Sequence, residues 1–463
     1  MRQKIVLLGA GSARFALQMI TDLCLTPGLA GAEIILVDPD EARLGWVLTL
    51  AQRLVNELGV DLTFSKEADR RIALQDASFV INTALAGGRG LMDQDRALLE
   101  SYGYYRGIGV NAPHRQFQLM LDIARDVAAC CPRAWVLQAA NPVPEGCTLM
   151  GRATGIRVIG VCHGYREVGH LARLLGLDPA LVTCEAIGIN HCLWATRLEL
   201  DGVDLYPRLH QWKETVAPAF YHYWQGRHAD YQLSKVTWHL LDLYGLLPVG
   251  DTTRAIWPEV WWYHTDAETK DRWYGPGGGW DGEGGHQANL AWLSSSLAQL
   301  RATALDPACC VSEAFPLAPS EWQIVPLIDS LCHNRRKQYQ VNIPNHGAIP
   351  GLPDDFVVEV PALVDASGCC PAVTTPLSPL VFSGAILPRW LLAERLIAAM
   401  QTGDARYLLQ TYVSDHKTAS FDQARDALCA LLDAPWNADM AAHYQTGPLQ
   451  QLRELQHALQ APC

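Results

Sequence analysis

Lys4-Ile5-Val6-Leu7-Leu8-Gly9-Ala10-Gly11-Ser12 opens a stretch that continues through Phe15, Met19, Ile20 and Leu23 to Glu33-Ile34-Ile35-Leu36-Val37-Asp38. Residues 4–8 read as a buried strand, Gly9 to Gly11 as a tight turn, and Arg14 to Leu25 as a helix with one apolar face. Glu33 to Val37 reads as a second strand, and it ends on the carboxylate of Asp38. Strand, glycine turn, helix, strand and acid is the order of a dinucleotide-binding unit. The glycines let backbone approach a pyrophosphate at the positive end of the helix, and the acid takes ribose hydroxyls. Gly9, Gly11, Ser12 and Asp38 are therefore candidate cofactor residues, and Asp38 favours NAD over NADP because a carboxylate repels a 2'-phosphate. Arg14 stands where the third glycine of the G-x-G-x-x-G pattern would be.

The alternation continues outward. Ala77 to Thr83, Ala134 to Gln138 and Arg157 to Val161 read as further strands, followed by Gly87-Gly88, Asn141-Pro142 and Cys162-His163-Gly164. In an open α/β sheet the ligand crevice lies outside the carboxyl ends of the strands, so these polar tips converge on one place. The expected fold class is α/β, an N-terminal Rossmann-type doubly wound sheet (residues 1–195) followed by an α+β substrate and oligomerisation domain (196–463). The chain has 463 residues, long enough for two such units.

Composition narrows the function. A net charge of −12 with no basic run excludes a partner recognised through its phosphate backbone. The apolar run Ile5 to Leu8 stops at Gly9, short of a signal peptide's core, and no stretch approaches the ~18 apolar residues of a membrane span. The expectation is a cytoplasmic protein whose 14 cysteines are reduced, most of them as small buried hydrophobes.

Two strand ends carry borderline-soft metal donors, Cys162 and the His191 of Gly188-Ile189-Asn190-His191-Cys192. On the residues alone, a packed thiol and a core histidine fit as well. The ordered set Gly9-Ala10-Gly11-Ser12, Gly87-Gly88, Asn141-Pro142, Cys162-His163-Gly164, Asn190-His191 and Asn342-Ile343-Pro344-Asn345-His346-Gly347 resembles glycoside hydrolase family 4 over nearly the whole chain. The resemblance implies a resident NAD and a divalent metal, usually Mn2+, held by Cys162 and His191. It also implies a route distinct from two-carboxylate hydrolysis: oxidation at sugar C3, loss of the C2 proton, elimination of the aglycone, addition of water and return of the hydride.

Cys162-His163-Gly164 also resembles the branch that includes α-glucuronidases and α-galacturonidases, as do Tyr102 to Ile108, Gly250-Asp251-Thr252-Thr253-Arg254 and Pro353 to Pro361. A uronide carboxylate calls for a bidentate arginine, with Arg254 first and Arg115 and Arg89 behind it. Asp251 is implied as the base for the C2 proton, with Tyr244 next; a turn or helix-cap carboxylate is the other reading of Asp251. Asn141 and His163 are expected on the sugar hydroxyls or around the metal, Asn141 being placed to serve the cofactor as well. Gly109 to Arg115 lacks the glycine-rich run many family members carry there.

The Trp-rich run Trp257 to Tyr263 and the glycines after Gly275 suggest a substrate-side wall, or equally a core or subunit patch. A homo-oligomer, dimer or tetramer, follows from the resemblance alone. Two other functions share the cofactor: a plain NAD-dependent dehydrogenase of a hydroxy acid or sugar, and a non-catalytic NAD sensor. Within the family, an α-glucosidase is the alternative substrate reading.

Overall fold

The computed structural model describes residues 2–12, 15–106, 113–164, 166–216, 234–253, 262–275, 283–447, 449 and 451. The apolar runs of the sequence become the centre of one sheet. Strands β1 (Lys4–Leu8), β2 (Glu33–Val37), β3 (Thr63–Lys66), β4 (Phe79–Asn82), β5 (Trp135–Gln138) and β6 (Arg157–Gly160) run parallel in the order β3-β2-β1-β4-β5-β6. That is the Rossmann order, and Ile5, Val6, Ile34, Leu36, Val80, Ile81, Val136 and Leu137 are wholly buried between helices. The helix Phe15–Cys24 makes the first crossover, and Asp40 caps the next helix, Glu41–Leu58, by accepting the Arg43 N–H at 3.0 Å.

The second half adds β7 (Val182–Ile189), β8 (Cys192–Leu200), β9 (Val203–Asp204), β10 (Leu247–Val249), β11 (Lys337–Pro344), β12 (Val357–Asp365) and β13 (Gly368–Pro371). These pair antiparallel and extend the sheet beyond β6 in the order β11-β12-β7-β8-β10, with β13 on β12 and β9 on β8. The expected change of unit at residues 195–196 falls inside β8. The helix Leu387–Thr402 ties the late helices to the Rossmann half, because its Arg389 pairs with Glu145 of Val143–Thr154 at 2.6 Å, both side chains fully buried.

One row of paired residues crosses ten strands: Val37, Leu8, Asn82, Gln138, Gly160, Asn342, Glu359, Gly188, Leu193 and Val249. Gly9, Gly11, Asp38, Asn141, Cys162, His163, His191 and Asp251 lie one to three positions past this row, on one edge of the sheet. Two joins in the row, Gly160 with Asn342 and Glu359 with Gly188, are single residue pairs. Here the sheet creases. Laid flat, β6 and β10 would stand five spacings apart, about 24 Å. Instead, a Cβ on Gly164 would come within 2.4 Å of the Gly250 Cα. A glycine stands at each crease, and a Cβ on Gly160 would lie 2.7 Å from that of Asn342.

Candidate active site

Each parallel strand stops where its backbone turns away, and the loop beyond it carries polar side chains onto the shared edge. After β1, Gly9 adopts φ +85°, a conformation that suits glycine, and its added Cβ would meet Ala84 N at 2.8 Å. A Cβ on Gly11 would sit 2.6 Å from the Asp38 carboxylate. Asp38 itself accepts the Gly11 N–H at 2.7 Å and the Asp40 N–H at 2.9 Å, one on each oxygen. Each oxygen keeps a further lone pair for a ribose hydroxyl. The turn, its acid and the helix beginning at Phe15 therefore have the shape a dinucleotide requires, with Ser12 exposed at its mouth. Asn141 is also exposed, three residues past Gln138 on the same edge.

The creased half closes on the tip of β6. Cys162, 5 % exposed, follows β6; His191 makes the turn between β7 and β8; Asp251, 3 % exposed, follows β10. The Cys162 Sγ lies 3.8 Å from His191 Nε2, and Asp251 Oδ2 lies 3.6 Å from both His191 Nε2 and His163 Nε2. Cys162, His163 and Asp251 offer donor atoms all within 4.8 Å of one another. The Asp251 turn is held from beneath, where Thr252 Oγ1 accepts the Leu193 N–H at 2.7 Å and donates to the Val249 carbonyl. Tyr274 donates to the Thr253 carbonyl next door.

The electrostatics suit a cation. Burial pushes the Cys162 thiol up to about 12, and the nearby Glu359 and Asp251 charges add to that, against hydrogen bonds from Asn190 and the Gly164 N–H. A thiol, two imidazoles and a carboxylate beside a second acid form a donor set that a borderline divalent ion would neutralise. The residues present therefore fit a metal at Cys162 and His191.

Trp322 joins the two halves of the site. Its ring meets Phe15, the first residue of the helix behind the glycine turn, edge-on at 4.9 Å, and His163 edge-on at 5.3 Å. One aromatic ring thus bridges the helix that follows the nucleotide turn and the donor cluster.

Other expected residues lie elsewhere. The Tyr244 hydroxyl donates to the Gly384 carbonyl at 3.3 Å and its ring packs on Trp194 at 4.8 Å, a core position. Arg115 gives its guanidinium to the Trp436 carbonyl, to Asn437 Oδ1 at 2.7 Å and to Asp439 at 3.2 Å, so the late segments of the chain engage it. Arg254 and the side chain of Arg89 lie outside the described residues, as does most of the Trp-rich run.

Glu359 went unrecognised in the sequence. It is 1 % exposed at the crease and accepts from Asn190 Nδ2 at 2.8 Å and Asn342 Nδ2 at 3.3 Å. Burial pushes its carboxyl up to about 7, despite those amides and Gln340, with the Asp251 charge adding to the shift. The available signal was an acid set inside the apolar run Val357 to Val364, where both strand faces are covered.

Comparison with known proteins agrees with this geometry. Residues 4–176 match the model of the family 4 glycosyl hydrolases, and residues 186–418 match that of their C-terminal domain. An α-galactosidase of Bacillus subtilis (strain 168) is 32 % identical over 216 residues; the match spans 45 % of this chain and half the length of that protein. An α-glucosidase of Erwinia rhapontici is 28 % identical over 392 residues, 80 % of this chain and 84 % of its own. An α-galacturonidase of Thermoanaerobacter italicus (strain DSM 9252 / Ab9) is 23 % identical over 432 residues, 89 % and 91 %. A 6-phospho-α-glucosidase from gut microorganisms, solved with NAD and Mn2+, has the same fold, with a TM-score of 0.76 at 16 % identity over 95 % of this chain and 99 % of that one.

Proposed function

This chain belongs to family 4 of the glycosyl hydrolases, and from that premise we propose that it cleaves α-linked uronides, α-galacturonides first, with a resident NAD and a divalent metal in the cytoplasm. The observation that carries the reading is the convergence of Cys162, His163, His191 and Asp251 in a cluster that Trp322 joins to Phe15, the first residue of the helix after the glycine turn. When bound, NAD supplies a hydride acceptor and donor for sugar C3, and the metal supplies Lewis acidity at the C2 and C3 oxygens.

The chain's own residues do the rest. Gly9, Gly11 and Ser12 hold the pyrophosphate and Asp38 the ribose, while Cys162 and His191 are the metal donors. Asn141 and His163 orient the sugar hydroxyls. Asp251 accepts the C2 proton, which becomes acidic once C3 is a ketone, and the aglycone oxygen leaves by elimination. Its near-complete burial removes competing water, and the Thr252 and Thr253 anchors keep its carboxylate on the cluster. Arg254 is proposed to meet the uronide carboxylate; the fixed partners of Arg115 argue against it in that role.

The match to an α-galacturonidase across about nine-tenths of both chains supports the uronide. The higher identity to an α-galactosidase and an α-glucosidase favours a neutral α-hexoside as the second reading. A panel of aryl α-galacturonide, α-glucuronide, α-galactoside and α-glucoside, assayed with NAD, Mn2+ and a thiol reductant, separates them. Fastest turnover of the galacturonide without net NADH supports the proposal. Preference for a neutral sugar replaces the substrate, and NADH accumulating with turnover replaces the reaction by a dehydrogenase's.

A further inference from the structure

More donors converge on Asp251 than the proposed reaction uses. Around a four-coordinate borderline cation, metal–sulfur bonds near 2.3 Å and metal–nitrogen or –oxygen bonds of 2.0–2.2 Å set donor–donor edges of roughly 3.4–3.6 Å. The contacts here run 3.8 Å from Cys162 to His191, 3.6 Å from His191 to Asp251 and 3.6 Å from His163 to Asp251. Each of these three contacts is close to such an edge, and Cys162, His163 and Asp251 offer donor atoms all within 4.8 Å of one another.

The backbone is shaped for the same end. Asp251 and His191 both adopt left-handed φ, +65° and +63°, a conformation uncommon for residues other than glycine. Gly164 and Gly250 approach so closely that neither position has room for a side chain, which brings the Asp251 turn against the loop after β6. The Asp251 side chain is 4 % exposed, so its carboxylate is held inside the cluster rather than turned to solvent.

We infer that Asp251 and His163 complete the metal's resting shell with Cys162 and His191, and that the sugar's C2 and C3 oxygens displace Asp251 on binding. This rests on the reading that the site holds a divalent metal. A shell closed by four protein donors leaves no open position, which is the arrangement of a structural site; a working site must open one. Asp251 is the donor that leaves. Sugar oxygens replace an oxygen of similar hardness, while the thiolate and imidazole stay. The same displacement returns a lone pair to the carboxylate beside C2. The base is therefore released only when the proton it must take is in place, and an empty site holds neither an open metal position nor a free base.

The test uses the full chain, reduced, stripped of metal and loaded with NAD. Co2+ is titrated in while the thiolate-to-cobalt absorption is followed, and Mn2+ binding is read from the EPR signal of the free ion. Wild type is compared with Asp251→Asn, Asp251→Ala and His163→Gln, with circular dichroism and NAD affinity confirming that each variant is folded. Without sugar, each substitution is expected to weaken metal binding about tenfold or more. With saturating galacturonate or galactose, the difference between wild type and the Asp251 variants disappears, while that of His163→Gln remains. Equal affinities without sugar overturn the inference, and so does an Asp251 effect that persists undiminished with sugar bound. A wild-type chain that takes up no metal overturns both this inference and the metal reading of the site. An intact metal response beside failure to cleave α-uronides overturns only the proposed substrate.

Discussion

Asp251 Oδ2 and His191 Nε2 meet at 3.6 Å where the end of β10 comes beside the β7–β8 turn, both across the crease from β6. Both residues carry a positive φ, the kind of backbone that persists where surrounding structure over-determines it. Asp251→Asn keeps the shape of the side chain and removes its basicity. It should lower kcat by about 10²- to 10⁴-fold, the usual worth of a general base, while leaving NAD affinity unchanged. Steady-state kinetics on the best substrate of the panel, beside NAD titration, checks this.

The crease itself is testable at Gly164. An added methyl would lie 2.4 Å from the Gly250 Cα, so Gly164→Ala must push the Asp251 turn away from Cys162. Overpacking of this kind costs about 1–3 kcal/mol, and turnover should fall further than stability explains. Thermal melting and kinetics on the same sample separate the two losses; unchanged kinetics would mean that the approach of the two glycines has no part in the site.

Arg389 and Glu145 are a buried pair that binds the late helices to the Rossmann half. Removing only the cation leaves a carboxylate uncompensated, so Arg389→Met should cost about 3–5 kcal/mol. The double variant Arg389→Met with Glu145→Gln should recover part of that loss. Denaturant melts of wild type, Arg389→Met, Glu145→Gln and the double variant measure the coupling.

Glu185 of β7 gives a pH signature. Burial pulls its carboxyl upward, but the Thr374 hydroxyl, the Thr374 and Thr375 N–H groups and the Thr196 hydroxyl outweigh this and leave it below the usual carboxylate range. A folded-state value below the unfolded one adds stability above the unfolded value, and that stability is lost as pH falls through the folded one. Glu185→Gln should therefore be less stable than wild type at neutral pH, with the gap closing below about pH 4 as wild type is protonated. A gap unchanged between pH 7 and 3.5 would show that the ionised form contributes nothing.

How much the sequence revealed depends on the range of the physics. The glycine turn, Asp38, Cys162 and His191 stand at strand ends, and a strand end is a local pattern of apolar run and breaker. Asp251 was legible for the same reason, in Gly250-Asp251-Thr252 after Leu247 to Val249. The surroundings of Tyr244 and Arg115 were not, because their partners Gly384, Trp436 and Asp439 come 140 or more residues later. The crease was equally hidden, since β11 and β12 enter between β6 and β7 from beyond residue 336. Trp322, which links Phe15 of the helix after the nucleotide turn to His163, lies in a segment with no motif of its own.

The most direct test of the account is turnover in deuterium oxide, with the product sugar examined by proton NMR. Loss of the C2 proton to Asp251 and its replacement from solvent predict deuterium at C2 of the released sugar, with no net NADH. A product that keeps its C2 hydrogen through complete turnover would contradict the oxidation and elimination route.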